Sequence, residues 1–547
     1  MSRILPVLLV LFVAGCAGVA GTLDQAGELL AEGGERVLRE PMRPIRGETR
    51  VLVLAFDGVG EAQLLEALDA GALPTLAAFL GESQGDGLYA NGVHIRDVPS
   101  VFPSETAAGW AAVYTGARPA ESGVTGNEWF VRDSVAVFAP VPLSVGTIEQ
   151  TLSIYTDSLF SQVLERPTLF ERADVRSHVS LGFVYRGADL LTLPDLNDFG
   201  DLVEGVVESI FGGRDQAYEE LDDDGTEGVE RGVESYGLPD LQIAYYPGVD
   251  LVAHAAGGEA QIAYLLDEID GHIASVLDLY RQRGALADTY VLVVSDHGHS
   301  TTLDDDRHSL DAGGRDEPPA LLDSLGYRLR DFSVGSDTSD ADVVMIYDEA
   351  VAMLYLADRS TCPEKGDVCD WMRPPDLRDD VLPLARAIRD AGLADTTGVG
   401  GLSGAVDLVF ARASDPSGQT APPYRVLDGN RLVSVADYLQ RNPRPDLVAL
   451  EERLTWLTDG PFGARAGDIL VLAKSGTDRP LDERFYFGAP RQSGHGGASA
   501  GESLISLVVA RDGVSGASLQ ARVREAVGES PTQLDVTPLI LSLLDRD

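Results

Sequence analysis

The chain has 547 residues, with 42 Lys and Arg against 87 Asp and Glu and a formal net charge of −45. So large a negative excess argues against a nucleic-acid polymer as partner, because binding a phosphate backbone needs clustered cations. Three cysteines exclude a disulfide scaffold and a thiolate zinc cluster, while 44% hydrophobic and 24% charged residues are ordinary globular proportions.

The chain begins MSRILPVLLVLFVAGCAG. Arg3 precedes an apolar run from Ile4 to Val13, shorter than the about 20 residues that a bilayer crossing takes, and small residues follow it. That is the pattern of an export signal. Val13-Ala14-Gly15-Cys16 has the form of a bacterial lipobox, so residues 1–15 are expected to be a lipoprotein-type signal peptide. Cys16 would carry the lipid and anchor the protein to a membrane at the cell envelope; ordinary cleavage nearby is the alternative. Residues 16–48 read as a polar lead-in, helical or partly ordered.

Next comes VLVLAFDGV (51–59), a continuous apolar run that suits a strand buried on both faces of a parallel sheet. LQIAYYPGVD (241–250) and TYVLVVSDHG (289–298) have the same form, and Ala260 to Gly284 between them has helical periodicity. ISLVVA (505–510) reads as a further strand and VTPLILSLL (536–544) as a closing helix. Such alternation predicts an α/β fold with a mostly parallel central sheet and helices on both faces. The catalytic domain is expected in two parts, 49–335 and 461–547. The intervening 336–460, with Pro-Pro at 374–375 and 422–423, reads as an inserted subdomain. Cys362 and Cys369, in TCPEKGDVC, suit a small surface disulfide in an oxidising compartment, with a metal pair as the alternative. The acidic stretch LDDDGTEGVE (221–230) lacks the ligand spacing of a calcium-binding EF-hand loop and reads as a solvated surface loop.

The chemistry gathers where strands end, which is where ligands collect in open α/β sheets. Asp57 follows the first run, Asp250 and His254 the second, and Asp296 and His297 the third. His495 stands in SGHGG, just before ISLVVA. Three carboxylates and three imidazoles supply enough donors for two divalent ions. Zinc suits the mixture best, with manganese or iron as alternatives. His299 is a weaker candidate, and His94, His178, His272 and His308 are expected to be structural.

Taken together, AFDGV (55–59), FPSETAAGWAAVYTGARPAESGVTGN (102–127), YYPGVDLVAH (245–254), SDHG (295–298) and SGHGG (493–497) resemble the alkaline phosphatase superfamily. Within it they resemble the type I phosphodiesterase/nucleotide pyrophosphatase branch. The resemblance implies an alkaline phosphatase-like fold and one ion held by Asp57, Asp296 and His297 together with the nucleophile. Asp250, His254 and His495 would hold the other. It also implies a Thr or Ser nine residues before the Thr of a T-G-x-x-P motif, here Thr115 to Pro119, and counting back gives Thr106. Ser104 is the fallback. Asn127, 21 residues after Thr106, would donate its amide to a phosphoryl oxygen. GFVYRGADL (182–190) matches a segment in which monoesterase relatives place a Lys and an Arg on the phosphate; Val184 replaces the Lys and Arg186 matches the Arg. The expected activity is hydrolysis of small phosphate diesters or pyrophosphates through a phospho-threonine. A phosphomonoesterase or phosphonate hydrolase on the same site is the enzymatic alternative, and a binding lipoprotein on a degenerate fold the alternative from another class. The C/S-x-P-x-R context of a sulfatase is absent.

Overall fold

In the strand Arg50–Phe56 every residue after Arg50 is buried, and its side chains divide between two cores. Successive residues of a strand point to opposite faces. Val51, Val53 and Ala55 therefore pack with Trp110, Ala111 and Leu539, while Leu52, Leu54 and Phe56 pack with Leu64, Ile273 and Val276. Helices Thr106–Thr115, Gly516–Val527 and Val536–Leu543 cover the first face; Glu61–Ala70, Ala217–Tyr236 and Asp270–Gln282 cover the second. The computed structural model describes residues 34–47, 49–141, 159–193, 217–310, 318–330, 340–393, 402, 404–413 and 422–546. Among them no helix is long and apolar enough to cross a membrane.

Among the described residues the main sheet has ten strands. Five neighbours run parallel: Leu190–Thr192, Ser177–Ser180, Leu241–Tyr246, Arg50–Phe56 and Thr289–Val294. Leu507–Ala510 then joins antiparallel, followed by three short antiparallel strands from residues 83–94. The sheet is thus mixed, where the apolar runs had suggested a mostly parallel one. The reason is local: the loop carrying His495 lies at the carboxyl ends of the parallel strands, so the chain leaving it enters the sheet in the reverse direction. At the other edge Glu35–Val37 pairs with Leu190–Thr192, so part of the expected polar lead-in is a strand.

The acidic stretch 221–230 is helical, within Ala217–Tyr236, and is not a solvated loop. Its glycines allow this. A Cβ at Gly225, Gly228 or Gly232 would come within 2.7, 2.2 or 2.3 Å of Tyr245, Ser180 or His178 on the sheet. The helix therefore lies against the strands on a glycine face while most of its acids are exposed or half-buried, apart from the buried Asp224 and the fully buried Asp222. That buried carboxylate accepts the Gly248 N–H at 2.9 Å and the Tyr264 hydroxyl at 2.9 Å.

A second sheet, of seven strands among the described residues, runs from Leu329–Arg330 to Ile469–Ala473, past both ends of the expected 336–460 segment. Its neighbouring strands Val343–Asp348 and Val351–Leu356 are buried throughout and were not anticipated from sequence. Cys362 and Cys369 form a disulfide, but both residues are buried in a core with Trp371 and do not lie on the surface.

Candidate two-metal active site

The pairing of Val294 with Ala55 sets the level of the first group of ligands. Continued two residues onward, that register brings Asp296 beside Asp57. Each carboxylate is held by one oxygen. Asp57 Oδ2 accepts from Trp110 Nε1 at 3.1 Å and from the Tyr245 hydroxyl, and Asp296 Oδ1 accepts the Gly58 N–H at 3.1 Å. The other oxygens, Asp57 Oδ1 and Asp296 Oδ2, are buried and make no hydrogen bond among the described residues. They stand 3.5 and 3.3 Å from His297 Nε2. His297 Nδ1 lies 3.3 Å from the Gly298 carbonyl. Placing the ring proton there leaves Nε2 as a lone pair facing the two oxygens.

Thr106 Oγ1 is 3.2 Å from the same Nε2. It reaches that position because the Thr106–Thr115 helix comes very close to the end of the third strand: a Cβ at Gly109 would be 2.8 Å from Asp296 Cβ. Burial pushes the Asp57 carboxyl up to about 7, with Asp250 adding to the rise. Burial likewise drives Asp296 well above, and His297 well below, their ordinary values. Bare, the group is electrostatically costly. A divalent cation among these three donors would restore the ionised carboxylates and take up both unpartnered oxygens, so the residues present fit a metal ion.

Asp250 and His254 lie one turn apart on the helix Gly248–Ala256, hence on one face, with Oδ2 and Nε2 3.3 Å apart. His254 Nδ1 is 2.9 Å from the Ser493 carbonyl and His495 Nδ1 is 3.1 Å from the Ser104 carbonyl. Both rings thus present Nε2 inward, the tautomer a metal ligand needs. His299 joins them, with Nε2 2.5 Å from Asp250 Oδ1 and Nδ1 2.9 Å from Ser493 Oγ. Asp250, His254, His299 and His495 form one potential metal-binding group, and Asp57, Asp296 and His297 another. The two adjoin, since the His297 and His495 rings stack at 3.8 Å. Burial opposes ionisation of Asp250, but His254 and His299 outweigh it and hold the carboxyl well below its usual range.

All six expected ligands therefore converge, with Thr106 beside the first three. Glu105 occupies the helix N-cap position, which leaves Thr106 as the first helical residue with its hydroxyl toward the metal group. Asn127 Oδ1 accepts the Ala107 N–H at 2.7 Å, and its Nδ2 donates to Glu105 Oε2 at 2.6 Å. One amide hydrogen of Asn127 is thus engaged by Glu105, which the expected phosphoryl contact did not foresee. Ser104 does not compete with Thr106, because its hydroxyl contacts the Gly497 carbonyl at 2.9 Å and Arg453 at 2.6 Å. Arg186 is not directed to a phosphate site. It donates to the Ser161 and Leu164 carbonyls at 2.9 and 2.6 Å, to the Arg166 carbonyl, and to Glu171. Cys16 lies outside the described residues. Glu349, from the second sheet, is the unforeseen arrival: Oε1 stands 3.6 Å from His254 Nε2 and 3.7 Å from His495 Nε2.

A family model described as type I phosphodiesterase / nucleotide pyrophosphatase matches residues 51–349. The chain belongs to this family. Type I phosphodiesterases of this kind are two-metal phosphoric ester hydrolases. The match takes in every expected ligand except His495, which lies beyond its end. A curated relative from Saccharomyces cerevisiae, ectonucleotide pyrophosphatase/phosphodiesterase 2, is 26% identical over 209 residues. That alignment covers 37% of this chain and 39% of the relative, so less than half of the relative's length is spanned. Murine ectonucleotide pyrophosphatase/phosphodiesterase 5 superposes with a TM-score of 0.50 at 14% identity, over 91% of this chain and 95% of its own. An inactive form of the murine protein in complex with AMP gives a TM-score of 0.51, also at 14% identity, over 91% and 96%. Phosphonoacetate hydrolase from Sinorhizobium meliloti 1021, in complex with phosphonoformate, gives 0.49 at 15% identity, over 92% and 99%. The likeness to the murine protein is one of fold.

Proposed function

We propose that the protein is an exported hydrolase of small phosphate diesters or pyrophosphates, dependent on two divalent ions, with Thr106 as a covalent nucleophile. The observation that carries this reading is the position of Thr106 Oγ1. It lies at a helix N-terminus, 3.2 Å from His297 Nε2 and beside two carboxylate oxygens without hydrogen bonds. Bound to the two groups, divalent ions would lower the pKa of the Thr106 hydroxyl and compensate charge on the attacking and leaving oxygens. Asp57, Asp296 and His297 would hold one ion, and Asp250, His254 and His495 the other. Zinc suits these donors best, with manganese next.

In the first step Thr106 Oγ bonds to phosphorus as the bond to the leaving oxygen breaks, and the hydroxyl proton passes to solvent. From a diester or pyrophosphate the group on Thr106 keeps its remaining ester. Water then cleaves the threonine–phosphoryl bond and restores the hydroxyl. The positive end of the Thr106–Thr115 helix favours the anion throughout, and the second amide hydrogen of Asn127 is available to a non-bridging oxygen. Diesters are favoured over monoesters because Val184 stands where monoesterase relatives have Lys, and Arg186 is engaged elsewhere. Lipid anchoring through Cys16 belongs to the same proposal, and the Cys362–Cys369 disulfide supports an oxidising compartment.

The test compares bis-p-nitrophenyl phosphate with p-nitrophenyl phosphate on zinc- or manganese-loaded protein, before and after chelation. Faster release from the diester, lost on chelation and regained with metal, is expected. Preference for the monoester would favour the monoesterase reading, and turnover that persists in chelator would contradict both.

A further inference from the structure

Glu349 sits at the tip of the hairpin between Val343–Asp348 and Val351–Leu356, with φ at 46°. Residues other than glycine rarely adopt this left-handed conformation, and here the surroundings enforce it. The Glu349 carbonyl accepts the Phe487 N–H at 2.6 Å, and the next residue, Ala350, donates its N–H to the His495 carbonyl at 3.0 Å. The carboxylate is fixed as well. Oε2 accepts the His495 N–H at 2.7 Å, and Oε1 accepts Arg491 Nη1 at 2.6 Å. The second sheet is therefore locked to the loop that carries His495, and it delivers one buried carboxylate there.

The position of Oε1 is unusual for a structural ion pair. It faces His254 Nε2 at 3.6 Å and His495 Nε2 at 3.7 Å. Both nitrogens are lone pairs when each ring's proton is on Nδ1, toward the Ser493 and Ser104 carbonyls. Two lone pairs and a carboxylate oxygen converging without a hydrogen between them repel unless a cation lies among them. Bonds of about 2.0–2.2 Å to a tetrahedral zinc put neighbouring donors about 3.3–3.6 Å apart, close to the spacings seen here. His299 Nε2, by contrast, is 2.5 Å from Asp250 Oδ1, a hydrogen-bond distance too short for two donors on one ion.

We propose that Glu349 is a fourth protein ligand of the ion held by Asp250, His254 and His495, with His299 orienting Asp250 from behind. The inference rests on the two-metal reading above and goes beyond it: the second sheet becomes part of the metal centre. A second carboxylate also makes this site harder, which favours oxygen-preferring ions such as manganese more than an Asp–His–His set would.

The test is titration of the apoprotein with Co²⁺, following visible absorption and competition with a chelator, for wild type, Glu349→Ala and the near-isosteric Glu349→Gln. Far-UV circular dichroism establishes that each variant is folded. The expected result is two ions per chain in wild type. In both variants one ion should be held at least about tenfold more weakly with its absorption altered, and the other unchanged. Two ions bound to Glu349→Ala with wild-type affinity and spectrum would overturn the proposal while leaving the two-metal reading intact. A wild type that takes up no Co²⁺, Zn²⁺ or Mn²⁺ would overturn that reading itself, and this proposal with it.

Discussion

Asp57 shows how a single ligand is prepared for its ion. Trp110 and the Tyr245 hydroxyl hold one oxygen, which aims the other at His297. Burial raises the carboxyl to about 7, and the Tyr245 hydrogen bond acts against that rise. An ion must displace the proton, so Tyr245→Phe removes a donor that favours the anion and should move metal uptake to higher pH. Affinity at neutral pH should fall about tenfold, as for other groups that orient metal ligands, and chelator competition across a pH series would measure both effects. An unshifted uptake curve would contradict this role. Asp57, Asp250, His254, Asp296 and His297 were legible because each stands at or shortly after the carboxyl end of an apolar run, where residue type and position agree; His495 stands instead before ISLVVA, and Thr106 came from the family resemblance through its T-G-x-x-P motif. Glu349 carried no such mark, as its approach depends on a hairpin turn pressed against a loop nearly 150 residues away. His299 was visible only as a neighbour of His297, and the acceptor that defines its role, Asp250, belongs to another strand's end. Arg186 erred in the opposite direction: a motif matched, while the carbonyls around it had already taken its donors.

Among the elements, the Thr106–Thr115 helix is the one on which the chemistry depends. It is buried along its whole length and is rich in Ala, yet residue 109 is Gly. Helix propensity alone would make Gly109→Ala stabilising by about 1 kcal/mol. The added Cβ would lie 2.8 Å from Asp296 Cβ and 3.0 Å from its carbonyl, and both the helix and the strand end are buried. Overpacking of this kind costs about 1–3 kcal/mol, so the steric term wins. Gly109→Ala is expected to lower thermal stability and to weaken metal binding by displacing Asp296; a raised melting temperature with unchanged metal affinity would contradict the packing described. The same close approach explains why residues 221–230 were misread as a loop. Their acids and glycines resemble a solvated turn, but the glycines form the face that lets a long helix lie on the sheet.

For the molecule as a whole, two sheets meet around one site. The main sheet supplies Asp57, Asp296 and His297 from strand ends and Asp250 and His254 from an adjoining helix; the second brings Glu349 against the loop of His495. Three of the five parallel strands of the main sheet were readable because strands buried on both faces leave unbroken apolar runs, while Ser177–Ser180 and Leu190–Thr192 are too short to show one. Of the antiparallel half ISLVVA alone was read as a strand; the three strands from residues 83–94 and the second sheet were not, since their strands are short or lie among Pro-, Gly- and acid-rich connections. Of the 87 acids, three lie in the two groups, with Glu349 the proposed fourth, so local positive charge for an anionic ester falls to the ions. The most direct measurement is the turnover of bis-p-nitrophenyl phosphate by metal-loaded wild type and Thr106→Ala, with bound metal counted in both. Two ions per chain are expected in each protein, with a loss of at least about a thousandfold in kcat for the variant. Full turnover by Thr106→Ala with both ions bound would contradict this.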